Sequence, residues 1–208
     1  MKSIAEILKL SPVIPVLTIE TADAAVPLAR ALLAGGLRVL EVTLRTEAAL
    51  TAIAAIVREI PEAVVGAGTV LNADDYKRAC DIGVRFIVSP GLTDQLRDIA
   101  RKHSVPLLPG VVTASEIMRG LDAGLSHFKF FPAESSGGAA AVKAFAGPFA
   151  QVRFCPTGGV TLDNARDYLA LKNVACVGGT WLAPKHLVDN KDWAAITELA
   201  SDAAALGK

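Results

Sequence analysis

The sequence predicts an α/β fold, a single-domain (β/α)₈ TIM barrel with a short N-terminal helix. Eight apolar, strand-like runs alternate with longer segments of helical period, and Gly or Pro marks the joins between them. Such alternation is typical of parallel strands joined by crossover helices. The chain has 208 residues and is 52% hydrophobic, which is enough for one large core. We therefore expect residues 1–208 to form one barrel domain near the minimum size.

The elements follow one another along the chain in strand–helix order. The predicted strands are residues 13–18, 37–43, 64–69, 85–89, 105–109, 126–131, 152–157 and 174–178. The predicted helices are residues 22–34, 46–60, 72–82, 92–102, 113–123, 138–146, 161–171 and 191–206, after a short helix at 3–10 that would cover the bottom of the barrel. Thr113 with Glu116 has the pattern of a capping box, and Gly35, Gly83 and Gly124 follow predicted helices as C-terminal caps.

An open, doubly wound sheet is the alternative to a closed barrel. A dinucleotide-binding sheet of that kind needs a glycine-rich turn after its first strand. Here the first predicted strand runs into TIETAD, residues 18–23, which contains no glycine. The closed barrel is therefore the favoured fold.

Composition excludes several classes of function. The 21 basic and 21 acidic residues cancel, and no Lys/Arg cluster stands out, so we expect no nucleic-acid partner. The opening segment is interrupted by Glu6 and Lys9, and no apolar run reaches the length needed to span a membrane. We expect neither a membrane partner nor export.

The cysteines and histidines give no sign of a metal site. The cysteines are odd in number and far apart, which indicates reduced thiols and a cytoplasmic location; they are Cys80, Cys155 and Cys176. The histidines show no metal-ligand spacing with one another or with the cysteines; they are His103, His127 and His186. We expect neither a metal nor another cofactor.

Lys129 is the first candidate for chemistry, because it interrupts the aromatic run SHFKFFP in the sixth predicted strand. Strand alternation places Phe128 and Phe130 on one face and Lys129 on the other, so Lys129 would point into the barrel. A lysine removed from water needs a partner or loses its proton, and a free amine can form a Schiff base with a carbonyl substrate. A purely structural ion pair is the alternative.

The second predicted strand and its exit supply a carboxylate and a guanidinium. Glu41, Thr43 and Arg45 are spaced by two and share one face of the strand. One interpretation is a structural Glu41–Arg45 ion pair. The other gives Glu41 proton transfer and gives Arg45 a substrate carboxylate, which matches the fork of its guanidinium.

Glycine-rich strand ends indicate a phosphate site. The third predicted strand ends in GAGT, residues 66–69, which leaves room for the Thr69 hydroxyl. The seventh and eighth end in TGG and GGT, residues 157–159 and 178–180. Paired glycines expose backbone N–H groups, and the loops after these two strands often bind phosphate in this fold.

Five motifs together resemble the bacterial 2-keto-3-deoxy-6-phosphogluconate (KDPG) and 4-hydroxy-2-oxoglutarate (KHG) aldolases. They are EVTLRT at 41–46, GAGTVL at 66–71, PLLPGV at 106–111, FKFFPAE at 128–134 and RFCPTGG at 153–159. The resemblance implies a class I, metal-free, trimeric aldolase of the Entner–Doudoroff route. It implies that Lys129 forms the Schiff base and that Glu41 is the acid/base. The implied ligands of the phosphorylated keto acid are Arg45 and Thr69 for its carboxylate, Gly158, Gly159, Gly179 and Thr180 for its phosphate, and Pro90 and Phe131 as pocket lining.

One position departs from the family pattern. Some members have an Arg at the end of the first strand, whereas this chain has Thr18, which bears on substrate preference. Two other functions stay open: another phosphate-binding barrel enzyme, such as a sugar-phosphate epimerase or a synthase, and a non-catalytic barrel in which Lys129 and Arg45 hold an anion.

Overall fold

A computed structural model describes residues 2–207, in which eight parallel strands form a barrel. The strands are β1 (Val13–Leu17), β2 (Val39–Thr43), β3 (Val64–Gly68), β4 (Phe86–Ser89), β5 (Leu107–Val111), β6 (His127–Phe130), β7 (Arg153–Pro156) and β8 (Val177–Gly179). Neighbours in the sheet follow chain order, and β8 pairs with β1. The predicted barrel is confirmed.

The barrel closes between β7 and β8 through two isolated parallel bridges. Phe154 pairs with Val174, and Thr157 pairs with Gly178. The first bridge consists of two backbone bonds of 2.8 Å, from Phe154 N–H to the Asn173 carbonyl and from Ala175 N–H to the Phe154 carbonyl. Closure leaves the sheet without a free edge.

Helices surround the barrel and are named in chain order. They are α1 (Ile4–Leu8), α2 (Ala25–Ala34), α3 (Ala49–Glu59), α4 (Ala73–Asp81), α5 (Asp94–Lys102), α6 (Ala114–Asp122), α7 (Gly138–Ala144), α8 (Ala165–Leu169), α9 (Lys185–Asp189) and α10 (Trp193–Ala204). Side chains that accept backbone N–H bonds start α4, α5 and α6, from Asn72, Thr93 and Thr113. Thr113 and Glu116 form the predicted capping box. Within residues 2–207, no helix is long and apolar enough to cross a membrane.

Strand alternation divides the core into two layers. Outward side chains such as Val13 and Leu17 pack beneath the helices. Inward apolar side chains form a separate cluster with α1, and its buried members are Ile7, Leu8, Ile14, Val39, Phe86, Val88, Leu108, Cys155 and Cys176. The predicted short helix therefore covers the bottom of the barrel and makes its lower half an apolar plug.

Two predicted strands were misplaced along the chain. The fifth was expected at 105–109 and lies at Leu107–Val111, because Pro106 has no N–H to donate to a ladder. The eighth was expected at 174–178 and lies at Val177–Gly179, because Val174 makes only the isolated bridge that closes the barrel.

The helix predictions contain two errors. The helix expected at 161–171 is only Ala165–Leu169, because Thr161 and Asn164 bond each other's backbone N–H groups in a turn before it. Helix α9 was not predicted, since Pro184 and the short Lys185–Asp189 segment gave no helical period. Gly35 is the C-cap residue of α2, as predicted, and the left-handed residue is the next one, Gly36, at φ +96°.

Gly35 has another role, at the contact between α2 and α10. A Cβ at Gly35 would overlap the Ala200 side chain and stand 2.6 Å from the Thr197 carbonyl oxygen. Because the second contact is to backbone, a rotamer change cannot relieve it, and α10 must shift. The missing side chain therefore allows the last helix to pack against α2.

We expect Gly35→Ala to lower the free energy of unfolding by about 1–3 kcal/mol, the usual cost of overpacking. Urea denaturation followed by circular dichroism measures the change. The matched control is Gly147→Ala, whose Cβ would lie 3.8 Å from its nearest neighbour, the Ala144 carbonyl oxygen. Equal unfolding midpoints for the two variants would contradict this account of Gly35.

Candidate active site

Lys129 and Glu41 meet inside the barrel, on strands that face each other across it. The Lys129 Nζ donates to Glu41 Oε1 at 3.0 Å. The two residues are only 4% and 3% exposed, so both charges are removed from water. Phe128 and Phe130 lie in the outer layer of the core, as strand alternation requires. A buried ammonium and carboxylate in direct contact can exchange a proton over one hydrogen bond.

Small and aromatic neighbours give the pair its space. A Cβ at Gly68 on β3 would overlap the Glu41 carboxylate, so this glycine makes room for it. The Phe131 ring lies 5.2 Å from Lys129 Nζ, within the range of a cation–π contact. Below the pair, the hydrogen bond with Cys155 and burial raise the pKa of the Cys176 thiol. That thiol therefore stays protonated and adds no charge beneath the carboxylate.

Arg45 and Thr69 form a second contact, at the mouth of the barrel. Arg45 is exposed just beyond β2, and its Nε donates to Thr69 Oγ1 at 3.0 Å. The Glu41–Arg45 ion pair that the sequence also allowed is not formed, because Glu41 contacts Lys129. Thr69 has φ +57°, a left-handed conformation that costs a β-branched residue about 1–3 kcal/mol. Its hydroxyl is thereby held beside the guanidinium.

The glycine pair after β7 lies in a tightly packed turn. Gly158 and Gly159 have φ +97° and +80°, which L side chains rarely adopt. A Cβ at Gly159 would stand 2.7 Å from the Glu134 side chain. Glu134 N–H donates to the Gly158 carbonyl at 3.0 Å, and the Tyr168 hydroxyl donates to the Glu134 carboxylate. Burial and this carboxylate raise the pKa of Tyr168, so the hydroxyl keeps its proton.

The other predicted residues take defined places near the pair. The Pro90 carbonyl lies where a Cβ of Gly110 would be, and Gly110 pairs in register with Lys129. Gly179 is the last residue of β8 and leaves room for the Trp181 ring. Thr180 comes directly after Gly179, and its side chain is exposed. Glu41 and Lys129 therefore lie within β2 and β6, and the other predicted site residues lie at strand ends or on the loops that follow them.

A cavity of about 410 Å³ opens at the β1 and β8 side of this face. Its residues are Val16, Thr18, Glu20, Thr21, Asp23, Ala24, Thr180, Ala183, Lys185, Val188, Asp189 and Lys191. Val16 is the register partner of Glu41, so the cavity begins next to the buried pair. Thr180 is the predicted binding residue that it includes.

Sequence reasoning missed most of this lining. Glu20, Asp23, Lys185 and Lys191 were not singled out, although they follow β1 and β8 at the face where barrel sites lie. The position of Glu20 just after the first predicted strand was an available signal, whereas Lys185 and Lys191 lie farther along the chain, beyond the end of β8. For the part of the chain from 2 to 207, no group of three His, Cys, Asp or Glu side chains is placed to hold a metal ion.

Comparisons with known proteins agree with this geometry. A sequence model of the KDPG and KHG aldolase family matches residues 4–199. The KHG/KDPG aldolase of Escherichia coli (strain K12) is 54% identical over 201 residues, which cover 97% of this chain and 94% of that protein.

Solved structures give the same result. KDPG aldolase from Legionella pneumophila, with pyruvate captured at low pH as a covalent carbinolamine intermediate, superposes with a TM-score of 0.95. It is 46% identical, over 96% of this chain and 97% of that one. The aldolase of Zymomonas mobilis ZM4 with 3-phosphoglycerate gives a TM-score of 0.92 at 53% identity, over 97% and 94% of the two chains. The chain therefore belongs to the KDPG and KHG aldolase family.

Proposed function

We propose that this chain is a class I aldolase. It cleaves KDPG to pyruvate and glyceraldehyde 3-phosphate, and it cleaves KHG to pyruvate and glyoxylate. The observation that carries the proposal is the buried 3.0 Å contact between Lys129 Nζ and Glu41 Oε1. An imine-forming lysine needs a proton acceptor within hydrogen-bond reach, and this carboxylate meets that need.

The first half of the reaction forms the imine. One proton passes from the Lys129 ammonium to Glu41, which leaves a neutral amine and a carboxylic acid. The amine attacks the C2 ketone of the substrate and gives a carbinolamine. Glu41 returns its proton to the C2 hydroxyl, water leaves, and a protonated imine remains on Lys129. The carbinolamine captured in the Legionella pneumophila relative supports this step.

The second half breaks the carbon–carbon bond. Glu41, now a carboxylate, takes the proton of the C4 hydroxyl, and the electrons of the C3–C4 bond flow into the protonated imine. The aldehyde product leaves, and a pyruvate enamine stays on Lys129. Protonation at C3 restores the imine, and water then releases pyruvate and the free lysine.

Two anion sites orient the substrate over this pair. Arg45 and Thr69 hold the C1 carboxylate, because their fixed contact at 3.0 Å presents a guanidinium and a hydroxyl at the mouth. The backbone of Gly158, Gly159 and Gly179, with the Thr180 hydroxyl, binds the phosphate. Pro90 and Phe131 border the reacting carbons. The Zymomonas mobilis relative was solved with 3-phosphoglycerate, which supports binding of a phosphorylated acid.

We expect Lys129→Arg to abolish cleavage, because a guanidinium stays charged and cannot form an imine. Borohydride reduction with pyruvate, followed by peptide mass spectrometry, should label Lys129 in the wild type and give no adduct in the variant. Lys102→Arg, on the exposed face of α5, is the control and should react like the wild type. A wild-type protein without an adduct would favour the epimerase, synthase or anion-binding alternatives.

We expect Glu41→Gln to lower kcat by roughly 10²–10⁴, the usual contribution of a general acid/base. The amide has almost the shape of the carboxylate and still offers an oxygen to the Lys129 ammonium, so the barrel should remain folded, at lowered stability, while proton transfer is lost. Steady-state kinetics measures the change, with circular dichroism as the check on folding. An unchanged kcat would return Glu41 to a structural role.

We also propose a cytoplasmic homotrimer, which the family resemblance implies. Sedimentation equilibrium should give three times the 21.6 kDa mass of the chain. A monomer or dimer mass would reject the trimer and leave the proposed chemistry unaffected, because Lys129 and Glu41 come from one chain.

A further inference from the structure

Thr18 has a hydrogen-bonding state that the structure fixes. The Thr43 hydroxyl donates its one proton to the Leu17 carbonyl at 2.9 Å. Thr18 Oγ1 lies 3.2 Å from Thr43 Oγ1, so in this contact Thr18 must be the donor. The single proton of Thr18 is then committed. Its remaining lone pairs can only accept a hydrogen bond from a ligand.

The position of Thr18 brings those lone pairs to the cavity of about 410 Å³ beside β1 and β8. Thr18 is exposed immediately after β1, two residues beyond the inward-facing Val16, and both line the cavity. In the ring of strands, β1 lies between β2 and β8. Arg45 follows β2, and Thr180 follows β8. A substrate that reaches from the carboxylate site to the phosphate site therefore passes over the end of β1.

The surrounding charges strengthen this preference. On the β1 side, the carboxylates of Glu20 and Asp23 line the same cavity and can also only accept when ionised. On the β8 side stand two ammonium groups, Lys185 and Lys191, of which Lys185 contacts Asp189 at 3.0 Å. Acceptors therefore line the β1 side of the cavity, and the β8 side carries two ammonium groups together with the Asp189 carboxylate.

The two substrates of the proposed reaction differ at C5, the carbon that would lie beside Thr18. KDPG carries a hydroxyl on C5, which can donate a hydrogen bond. KHG has a carboxylate at C5, which offers only acceptors and a negative charge. Two acceptors in contact repel each other, and neither is satisfied.

We propose that Thr18 is a specificity residue that accepts a hydrogen bond from the C5 hydroxyl and so selects the polyhydroxy phosphorylated acid over the dicarboxylate. This inference rests on the proposed aldolase function. The wall formed by Thr18, Glu20 and Asp23 disfavours a second carboxylate and favours a hydroxyl donor. The wild type accordingly has a higher kcat/KM for KDPG than for KHG.

The test compares Thr18→Val, which keeps the side-chain shape and loses the hydroxyl, with Thr18→Ser, which keeps the hydroxyl. The Val variant should lose about 10-fold in kcat/KM for KDPG, as expected for one neutral hydrogen bond near the upper end of its range. Its kcat/KM for KHG should not fall. The Ser variant should retain the wild-type preference, and Thr51→Val on the exposed face of α3 should change neither substrate.

Trapping of pyruvate by borohydride tests the aldolase function separately from the role of Thr18. Pyruvate ends at C3 and does not reach Thr18, so all of these variants should form the adduct as the wild type does. If the wild type forms no adduct and cleaves neither substrate, the aldolase function itself is wrong. If it cleaves both, and Thr18→Val lowers both values equally or neither, only the role of Thr18 is wrong.

Discussion

The contact between Lys129 and Glu41 is the constraint on which the rest of the barrel depends. Removing two charges from water costs several kcal/mol each, and only a well-placed partner offsets that cost. The partners come from β6 and β2, so the 3.0 Å contact exists only when the barrel is closed and in register. Gly68 must lack a side chain for the carboxylate to fit. The proposed chemistry therefore requires a closed barrel, because only closure brings the two residues together. Loss of either residue leaves the charge of the other buried without a partner.

The apolar plug beneath the pair decides from which side it can be reached. Ile7 and Leu8 of α1 seal the bottom of the barrel against Phe86 and Cys155. A polar substrate therefore enters only from the face where the strands end. That face carries the groups that can bind anions, Arg45 among them. The short N-terminal helix, which lies far from the reacting atoms in the chain, is in this way part of the site.

The fold and the reacting pair could be predicted from the sequence because their signals are local. Period-two alternation around Lys129 and Glu41 gave the inward faces directly, and glycine pairs marked the ends of β7 and β8. The cavity wall could not be predicted in the same way, because Thr18 and Lys185 meet only when β1 and β8 become neighbours through closure. The shift of β5 after Pro106 and the existence of α9 also depend on pairing and packing that no local period records.

The reacting groups and the cavity wall are separate sets of residues, which affects how the substrate preference of such an enzyme can change. In the proposed mechanism Lys129 and Glu41 act on C2 to C4, and their buried contact leaves little tolerance for substitution. Thr18 and Thr180 line the cavity that opens beyond the pair, on loop positions that carry no strand pairing. If Thr18 has its proposed role, substitutions there change which end of the substrate the enzyme accepts and leave the imine chemistry intact. The hydroxyl of Thr43, fixed on the Leu17 carbonyl, sets which way the Thr18 proton points. The proposed basis of substrate preference in this chain is therefore the direction of one hydrogen bond, just beyond the end of a barrel strand.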